Sequence, residues 1–268
     1  MTNDENNAAF AASELGEELA RLYLAGKPSP PGWREHLTDI DMGYAVQDAI
    51  VRALADGGQG PLAGYKAGMT SKTMQQAFGI DSPIAGRVMG ANMLSSGAQL
   101  RQADHLHLGL ESELAFVLSR DIAEPLGDSD DAVLDHIANA HAAFEVVDDR
   151  HTDRSVVTAP SLVAENIWNV GAVLGDGVSP SRLGAIDGRA GRYYENGTEI
   201  ETGSTSDVLG NPLNVVRWLA NFQLSRGEML RKGQTVLTGS ITALRFPERE
   251  TLCRFELDGL PAVEVEIV

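Results

Sequence analysis

The segment GLESELAFVL, residues 109–118, alternates charged or small side chains with large apolar ones. Residues i and i+2 of a β-strand point to the same face, so Glu111 and Glu113 would lie side by side. Ala115 and Val117 would continue that face, and the large apolar side chains would fill the opposite one. Two interpretations are open: an amphipathic strand whose second face meets water, or a strand that presents paired carboxylates to a partly dry site.

A second acidic strand follows in AAFEVVDDR, residues 142–150, where Glu145 and Asp149 share one face and Asp148 and Arg150 share the other. Two unit charges about 4 Å apart repel by roughly 4 kcal/mol at an effective dielectric constant near 20. Protonation of one group or a bound metal ion removes that repulsion. An all-oxygen ligand set favours Mg²⁺ or Mn²⁺, so the two acidic strands suggest a site for a hard divalent cation.

Two histidines precede the glutamates in DHLHLGLESE, residues 104–113. In an unbroken strand, His105 and His107 would join the glutamate face and favour Zn²⁺ or Fe²⁺. Gly109 is a plausible bulge that would break this alternation and leave the histidines as a surface pair near the start of the strand. Both interpretations remain open, and the surface pair is the preferred one.

Composition restricts the classes of function. The formal net charge of −17 would repel nucleic acid and anionic membranes, and the basic cluster at 226–232 is interrupted by Glu228. No apolar run reaches membrane-spanning length, and the segment MTNDENNAAF lacks the features of a signal peptide. The one cysteine, Cys253, fits a reducing compartment and a buried core position. We therefore expect a cytoplasmic protein that binds neither nucleic acid nor membranes.

The first part of the chain is typical of helices. Apolar side chains recur at helical spacing over residues 8–26, beginning with Phe10, and again over residues 42–56. The segment KPSPPGW separates the two patterns. Residues 1–58 are accordingly predicted to form a helical N-terminal arm.

Beyond residue 60, short β-rich runs lie between glycine and aspartate turns. These runs are LESELAFVL, AAFEVVDD, NVGAVLG, GQTVLTGS, ETLCRFEL and AVEVEIV. One further helix is predicted, with Asn211 as its cap, Pro212 in its first turn and Gly227 after its end. The fold class is therefore α+β, with the arm leading into a β-rich body over residues 59–268.

Several separate motifs, in order along the chain, resemble one known family. They are GYKAGMTSKTMQQAFGID (64–81), ESELAF (111–116), FEVVDDR (144–150), VAEN (163–166) and LGNPLNVVRWLANFQLSRGEMLRKGQTVLTGSIT (209–242). Together they are similar to the 2-hydroxypentadienoate hydratase and 4-oxalocrotonate decarboxylase branch of the fumarylacetoacetate hydrolase superfamily. The resemblance covers most of residues 43–245.

This resemblance implies a β-roll body and a Mg²⁺ or Mn²⁺ ion held by Glu111, Glu113 and Glu145. It also implies that Lys66, in the motif G-x-K-x-G, is the active-site lysine and that Asp81 takes part in catalysis. Considered by itself, Lys66 could simply lie on the surface; near a cation, its pKa could be lowered for proton relay, or it could pair with a substrate carboxylate. The expected assembly is a homo-oligomer built from dimers, and the expected ligand is a small 2-oxo or 2-hydroxy acid.

The resemblance further implies that Thr70, Ser71, Thr238 and Ser240 border the substrate. Thr70 and Ser71 could instead cap the helix that KTMQQAF suggests, and the LTGS segment could be an ordinary turn at a strand end.

Three departures from the family pattern bear on the reaction. Ile84 replaces a second acid that hydratases commonly carry, which is closer to the decarboxylases. Asp149 stands where the family usually has a small residue, and Glu165 precedes Asn166 where the family has aspartate. We expect a metal-dependent hydratase of a 2-hydroxydienoate in aromatic catabolism, with a decarboxylase as the second candidate and a non-catalytic metal-binding homologue as the third.

Overall fold

The computed structural model describes the backbone of residues 3–268 and the side chains from residue 9 onward; residues 1 and 2 of the predicted arm lie outside it. The helices are α1 (Asn3–Leu24), α2 (Ile40–Leu54), α3 (Lys72–Ala77), α4 (Asp130–Leu134), α5 (Ala159–Ala164), α6 (Pro180–Leu183) and α7 (Pro212–Ser225). Within residues 3–268, no helix has both the length and the apolar character that crossing a bilayer requires.

Twelve strands form two sheets in this part of the chain. They are β1 (Leu62–Gly68), β2 (Ile84–Met89), β3 (Met93–Ser95), β4 (Ala98–Leu100), β5 (Leu108–Leu118), β6 (Ile137–Asp148), β7 (Asn169–Leu174), β8 (Ala190–Glu195), β9 (Thr198–Ser204), β10 (Thr235–Ser240), β11 (Thr251–Leu257) and β12 (Val263–Ile267). The seven-stranded sheet has the order β2-β1-β10-β5-β6-β7-β3, and the five-stranded sheet has the order β4-β12-β11-β8-β9. The predicted α+β class is confirmed.

The two sheets face each other across an aromatic core. Phe144 of β6 lies 6.0 Å from the ring of Tyr193 on β8 and 6.3 Å from the ring of Phe255 on β11. All three side chains are buried, and Cys253 is buried beside Tyr193, as expected for a core thiol. This core covers the apolar face of the central strands β5 and β6.

The opposite face of β5 is also buried. Glu113 and Ala115 are both 0% exposed, so the interpretation in which this face meets water is wrong. The predicted bulge at Gly109 is also wrong, because the pairing of β5 with β6 runs without interruption from Leu108↔Asp148 to Val117↔Asn139. Because the register is unbroken, the side chains of Glu111, Glu113 and Ala115 all point to the same face of the sheet.

The two long helices of the arm, α1 and α2, lie side by side and run in the same direction, with Gly16 beside Ala49 and Leu24 beside Gly57. A Cβ atom at Gly16 of α1 would lie 2.4 Å from the Ala49 Cβ of α2, so only glycine allows this approach. Leu19 and Ile50 are fully buried between the helices. Phe10, predicted to share the apolar stripe, is 65% exposed, and that part of the prediction is wrong.

A strained segment follows α5. Asn166, Ile167 and Trp168 have φ angles of 55°, 52° and 59°, a region that costs non-glycine residues of order 1–3 kcal/mol each. The Asn166 amide accepts a hydrogen bond from the Arg87 backbone N–H and donates one to the Arg87 carbonyl, both at 2.7 Å. The segment is thereby fixed to β2.

The carboxylate of Glu165 fixes the same segment to the arm. It accepts hydrogen bonds from Ser29 at 2.7 Å, from Arg34 at 3.0 Å and from the Trp168 indole N–H at 3.2 Å. Glu165 is only 2% exposed, and a buried carboxylate needs such donors. Glu165, where the resemblance led us to expect aspartate, therefore has a structural role.

Glutamine in place of Glu165 should destabilise the protein, because Arg34 and the Trp168 N–H would lose a charged acceptor. We expect the free energy of unfolding to fall by about 1–3 kcal/mol in urea denaturation. The control is Glu18→Gln, which removes an exposed glutamate of α1 and should change that energy by less than about 0.5 kcal/mol. Equal stability of the two variants would contradict this role of Glu165.

Candidate metal centre

The three predicted metal ligands meet on one face of the seven-stranded sheet. Glu111 and Glu145 are cross-strand partners, and Glu113 follows Glu111 on the same face. One oxygen from each carboxylate can be chosen so that all lie within 4.8 Å of one another. Glu113 and Glu145 are 0% exposed, and the side chain of Glu111 is 22% exposed. The site is therefore dry at its base and open at Glu111.

Lys66 reaches this cluster from β1, which is separated from β5 by β10. Its Nζ lies 2.8 Å from the Oε2 of Glu145 and 3.8 Å from the Oε2 of Glu111. Lys66 is 2% exposed, which contradicts the surface interpretation. Gly86 of β2 makes room for it, since a Cβ atom there would lie 2.9 Å from the Lys66 Cγ.

Two groups that the sequence did not suggest orient the glutamates. The Gly239 backbone N–H donates to the Oε2 of Glu113 at 2.8 Å, and the Asn169 amide donates to the Oε1 of Glu145 at 3.0 Å. Gly239 has a φ of 112°, a conformation that favours glycine. The family resemblance had suggested the hydroxyls of Thr238 and Ser240, on either side of this glycine, and not its N–H. Asn169 is the first residue of the β-rich run NVGAVLG, and nothing in that pattern suggests a role for its amide.

The site has one ammonium and three carboxylates, and the pKa values reflect that imbalance. Burial raises the pKa of Glu111 to about 7, although Lys66 opposes the shift. Burial and the charge of Glu145 raise the pKa of Glu113 well above its usual range. Burial alone would lower the pKa of Lys66, but the charges of the glutamates outweigh it and raise that pKa. In the protein without a cation, the pKa of Lys66 is therefore raised. The lowered pKa that we considered for Lys66 applies only beside a bound cation.

The donor set fits a hard divalent cation. The Oε1 of Glu113 is buried and has no hydrogen-bond partner within the described residues. Such an atom is costly unless it is protonated or coordinated. Three carboxylate oxygens in close proximity are the ligands that Mg²⁺ and Mn²⁺ prefer. Glu111, Glu113 and Glu145 would hold the ion.

The other predicted site residues differ in what their side chains contact. The Thr70 hydroxyl faces the Gly239 turn, 2.7 Å from where a Cβ of Gly239 would stand. The Ser71 hydroxyl accepts a hydrogen bond from the Met74 N–H and caps α3, which is the alternative considered for it.

Thr238 is fully buried and donates to the Leu114 carbonyl of β5, while Ser240 donates to the Thr242 carbonyl. Asp81 is exposed in the turn before β2 and, across residues 9–268, has no hydrogen bond or ion pair with the three glutamates.

The two histidines pair with aspartates. The Nδ1 of His107 lies 2.6 Å from the Oδ1 of Asp149, and the Nδ1 of His105 lies 3.8 Å from the Oδ2 of Asp148. Among the described residues, the potential metal-binding group comprises the three glutamates and neither histidine.

A cavity of about 410 Å³ on the other side of this sheet does not contain the glutamates. Val146 and Asp148 line it, and these residues point away from the Glu145 face of β6. The three glutamates and Lys66 therefore lie outside this cavity.

Comparison with known proteins agrees with the fold and with the order of the motifs. Residues 80–268 match the family model described as fumarylacetoacetate (FAA) hydrolase C-terminal. The chain belongs to this family.

Curated relatives within the fumarylacetoacetate hydrolase family carry hydratase names. A "TodF product hydratase" of Pseudomonas putida F1 is 35% identical over 208 residues, covering 76% of this chain and 75% of its own length. A 2-keto-4-pentenoate hydratase of Burkholderia vietnamiensis G4 is 30% identical over 265 residues and covers 97% of both chains.

A solved structure shares the fold at lower sequence identity. The 4-oxalocrotonate decarboxylase of Pseudomonas putida G7, complexed with magnesium and adipate, superposes with a TM-score of 0.88. The match covers 100% of this chain and 99% of that one at 23% identity.

Metal affinity should increase with pH, because a proton and a cation compete for the same carboxylates. With the pKa of Glu111 at about 7, its protonated form dominates at lower pH and disappears at higher pH. We expect Mn²⁺ affinity, measured by titration calorimetry, to rise about tenfold from pH 6 to pH 8, with proton release on binding.

Glu113→Gln should remove Mn²⁺ binding, because it replaces a buried ligand by a neutral amide. Glu124→Gln, at an exposed position, should leave the affinity unchanged. An affinity independent of pH, or full affinity in Glu113→Gln, would disagree with this assignment of ligands.

Proposed function

We propose that the protein is a divalent-cation-dependent hydratase that adds water to a 2-hydroxydienoate or 2-oxo-enoate of the 2-hydroxypenta-2,4-dienoate type. The observation that carries this proposal is the cluster of three glutamates with Lys66 Nζ 2.8 Å from Glu145. Relatives named as hydratases over most of the chain support it.

The cation is proposed to be Mg²⁺ or Mn²⁺, since both accept oxygen ligands. When bound, such an ion would supply Lewis acidity to a substrate that presents a carboxylate and a C2 oxygen to it. The protein's own contribution is to hold three oxygens in a rigid, dry arrangement and to exclude bulk water from them.

Lys66 is the proposed proton carrier. The dienol must transfer its C2 hydroxyl proton to carbon before water adds to the conjugated double bond. Once the glutamate charges are neutralised, burial is the main remaining influence, and it lowers the pKa of Lys66. An ammonium group of lowered pKa can more readily release and regain a proton at Nζ.

One observation favours decarboxylation as a second candidate reaction. Ile84, at the position where hydratases commonly carry a second acid, is 0% exposed and packs in the apolar core. Its Cγ1 would lie 3.5 Å from a Cβ at Gly68, on the strand of Lys66. The chain therefore lacks a carboxylate there that could activate water.

A metal-supplemented assay with two substrates separates the reactions. We expect 2-hydroxypenta-2,4-dienoate to lose its dienoate absorbance and give the hydrated product, because the site offers a proton carrier beside the cation ligands. Release of CO₂ from 4-oxalocrotonate would identify a decarboxylase instead. Silence with both substrates, in protein that binds the metal, would contradict these two substrates and leave another 2-oxo acid or a non-catalytic role.

Lys66→Met should lower kcat by at least about 100-fold, because it removes the proton carrier while keeping an unbranched side chain of similar length. Metal affinity should persist, since the three carboxylates remain. Lys232→Met, at an exposed lysine, is the matched control and should show ordinary kinetics. Normal turnover by Lys66→Met would refute the role of this lysine.

The assembly is proposed to be a homo-oligomer built from dimers. This part of the proposal rests on the family resemblance alone, and the mass in solution compared with 28.6 kDa for one chain tests it.

A further inference from the structure

The glutamate face of β5 and β6 continues beyond the metal ligands. From the Glu111–Glu145 pair, the register leads two residues on to Gly109 and Val147, and then towards His107 and Asp149. His107 is therefore about 13 Å from Glu111 along the strand, at about 3.3 Å per residue. One end of the face therefore carries the three glutamates, and the far end carries the imidazole of His107 beside Asp149.

An apolar wall covers the interval. The ring of Phe246 lies over Gly109, since a Cβ atom there would be 3.0 Å from the Phe246 Cε1. The same ring stacks on His107 with centroids 3.8 Å apart and planes 3° apart. His107 in turn stacks on His151 at 4.2 Å. Both faces of His107 are thus covered, so a conjugated carbon chain along this wall would lie against Phe246.

Arg154 lies at the far side of this wall. Its guanidinium carbon is 5.7 Å from the ring centroid of Phe246 and 5.9 Å from that of Trp168. It is also near enough to Glu111 for its charge to act on that carboxylate and lower the pKa of Glu111. Arg154 therefore belongs to the approach to the metal centre.

The guanidinium of Arg154 has capacity for another anion. Within residues 9–268, its one hydrogen bond is a long one, 3.4 Å from Nη2 to the Oδ2 of Asp149. The other oxygen of Asp149 already accepts from the His151 backbone N–H and lies beside His107. A guanidinium has five N–H donors in a fork that suits a carboxylate. The side chain is 58% exposed, so the remaining donors are accessible.

We propose that Arg154, with His107 and Phe246 beside it, forms a subsite for a distal carboxylate, so that the substrate is a dicarboxylic 2-oxo or 2-hydroxy-enoate. This inference rests on the proposed function, because the 2-oxo-acid end must occupy the glutamate centre. A chain with a net charge of −17 repels a dianion, and a local cation at the mouth offsets that repulsion. Asp149 orients Arg154 by accepting its hydrogen bond.

The subsite also bears on the choice of reaction. An ion pair with Arg154 would stabilise the charged distal carboxylate in the ground state. Loss of that carboxylate as CO₂ would require breaking the pair, which raises the barrier to decarboxylation. Water addition leaves the distal carboxylate in place, so its ion pair with Arg154 can persist throughout that reaction.

Binding of two unreactive 2-oxo acids of equal length tests the inference. Calorimetry with saturating Mg²⁺ compares 2-oxoadipate, which has the distal carboxylate, with 2-oxohexanoate, which lacks it. Wild-type protein should bind the diacid roughly 10- to 100-fold more tightly. With Mg²⁺ kept saturating, Arg154→Gln should reduce this preference to within about twofold without changing the affinity for 2-oxohexanoate, and Arg154→Lys should restore part of it.

The control is Arg192→Gln, which removes an arginine paired with Asp258 on the five-stranded sheet and should keep the full preference. Equal binding of the two acids by wild type, or an undiminished preference in Arg154→Gln, would overturn the subsite while leaving the hydratase proposal intact. Failure of both acids to bind in the presence of Mg²⁺ would overturn the subsite and the proposed function together.

Discussion

The structure depends on three carboxylates that share a nearly dry site with one ammonium. The three glutamates and Lys66 would together carry a net charge of −2 if all were ionised, and burial makes that charge expensive. Protons can relieve it, as the raised pKa values of Glu111 and Glu113 show. A divalent cation would balance the same charge and leave the oxygens available as ligands. The electrostatic imbalance is therefore what suits the site to a metal.

Such an arrangement survives only if the backbone holds it rigidly. Glu111 and Glu145 face each other in the centre of a seven-stranded sheet, where both neighbouring strands fix the register. Lys66 enters from a strand further along, and β2 beside it is fixed by the strained segment at Asn166. Glu165 then connects that segment to the helical arm. The arm thus supports the site from a distance, although it supplies none of the three ligands.

Local patterns in the sequence predicted much of this, because they reflect local physics. All six β-rich runs are strands, and α7 begins after Asn211 and ends before Gly227 as its caps indicate. Strand alternation placed Glu111 beside Glu113, and the second acidic strand drew attention to Glu145, but only the family resemblance linked Lys66 to them. Asn169, Gly239 and Arg154 were missed since their roles come from contacts between distant segments. The bulge at Gly109 was predicted wrongly because the glycine instead accommodates Phe246.

The placement of the charged groups suggests how chemistry and selectivity are divided in this protein. The glutamates and Lys66 lie on central strands, where a change of register would disrupt the whole sheet. Arg154 lies in the connection between β6 and α5, and Phe246 lies in the one between β10 and β11. Connections tolerate substitution better than central strands do. A family could therefore keep one cation centre and alter the distal end of its substrate by changing these two connections, without rebuilding the sheet that holds the glutamates.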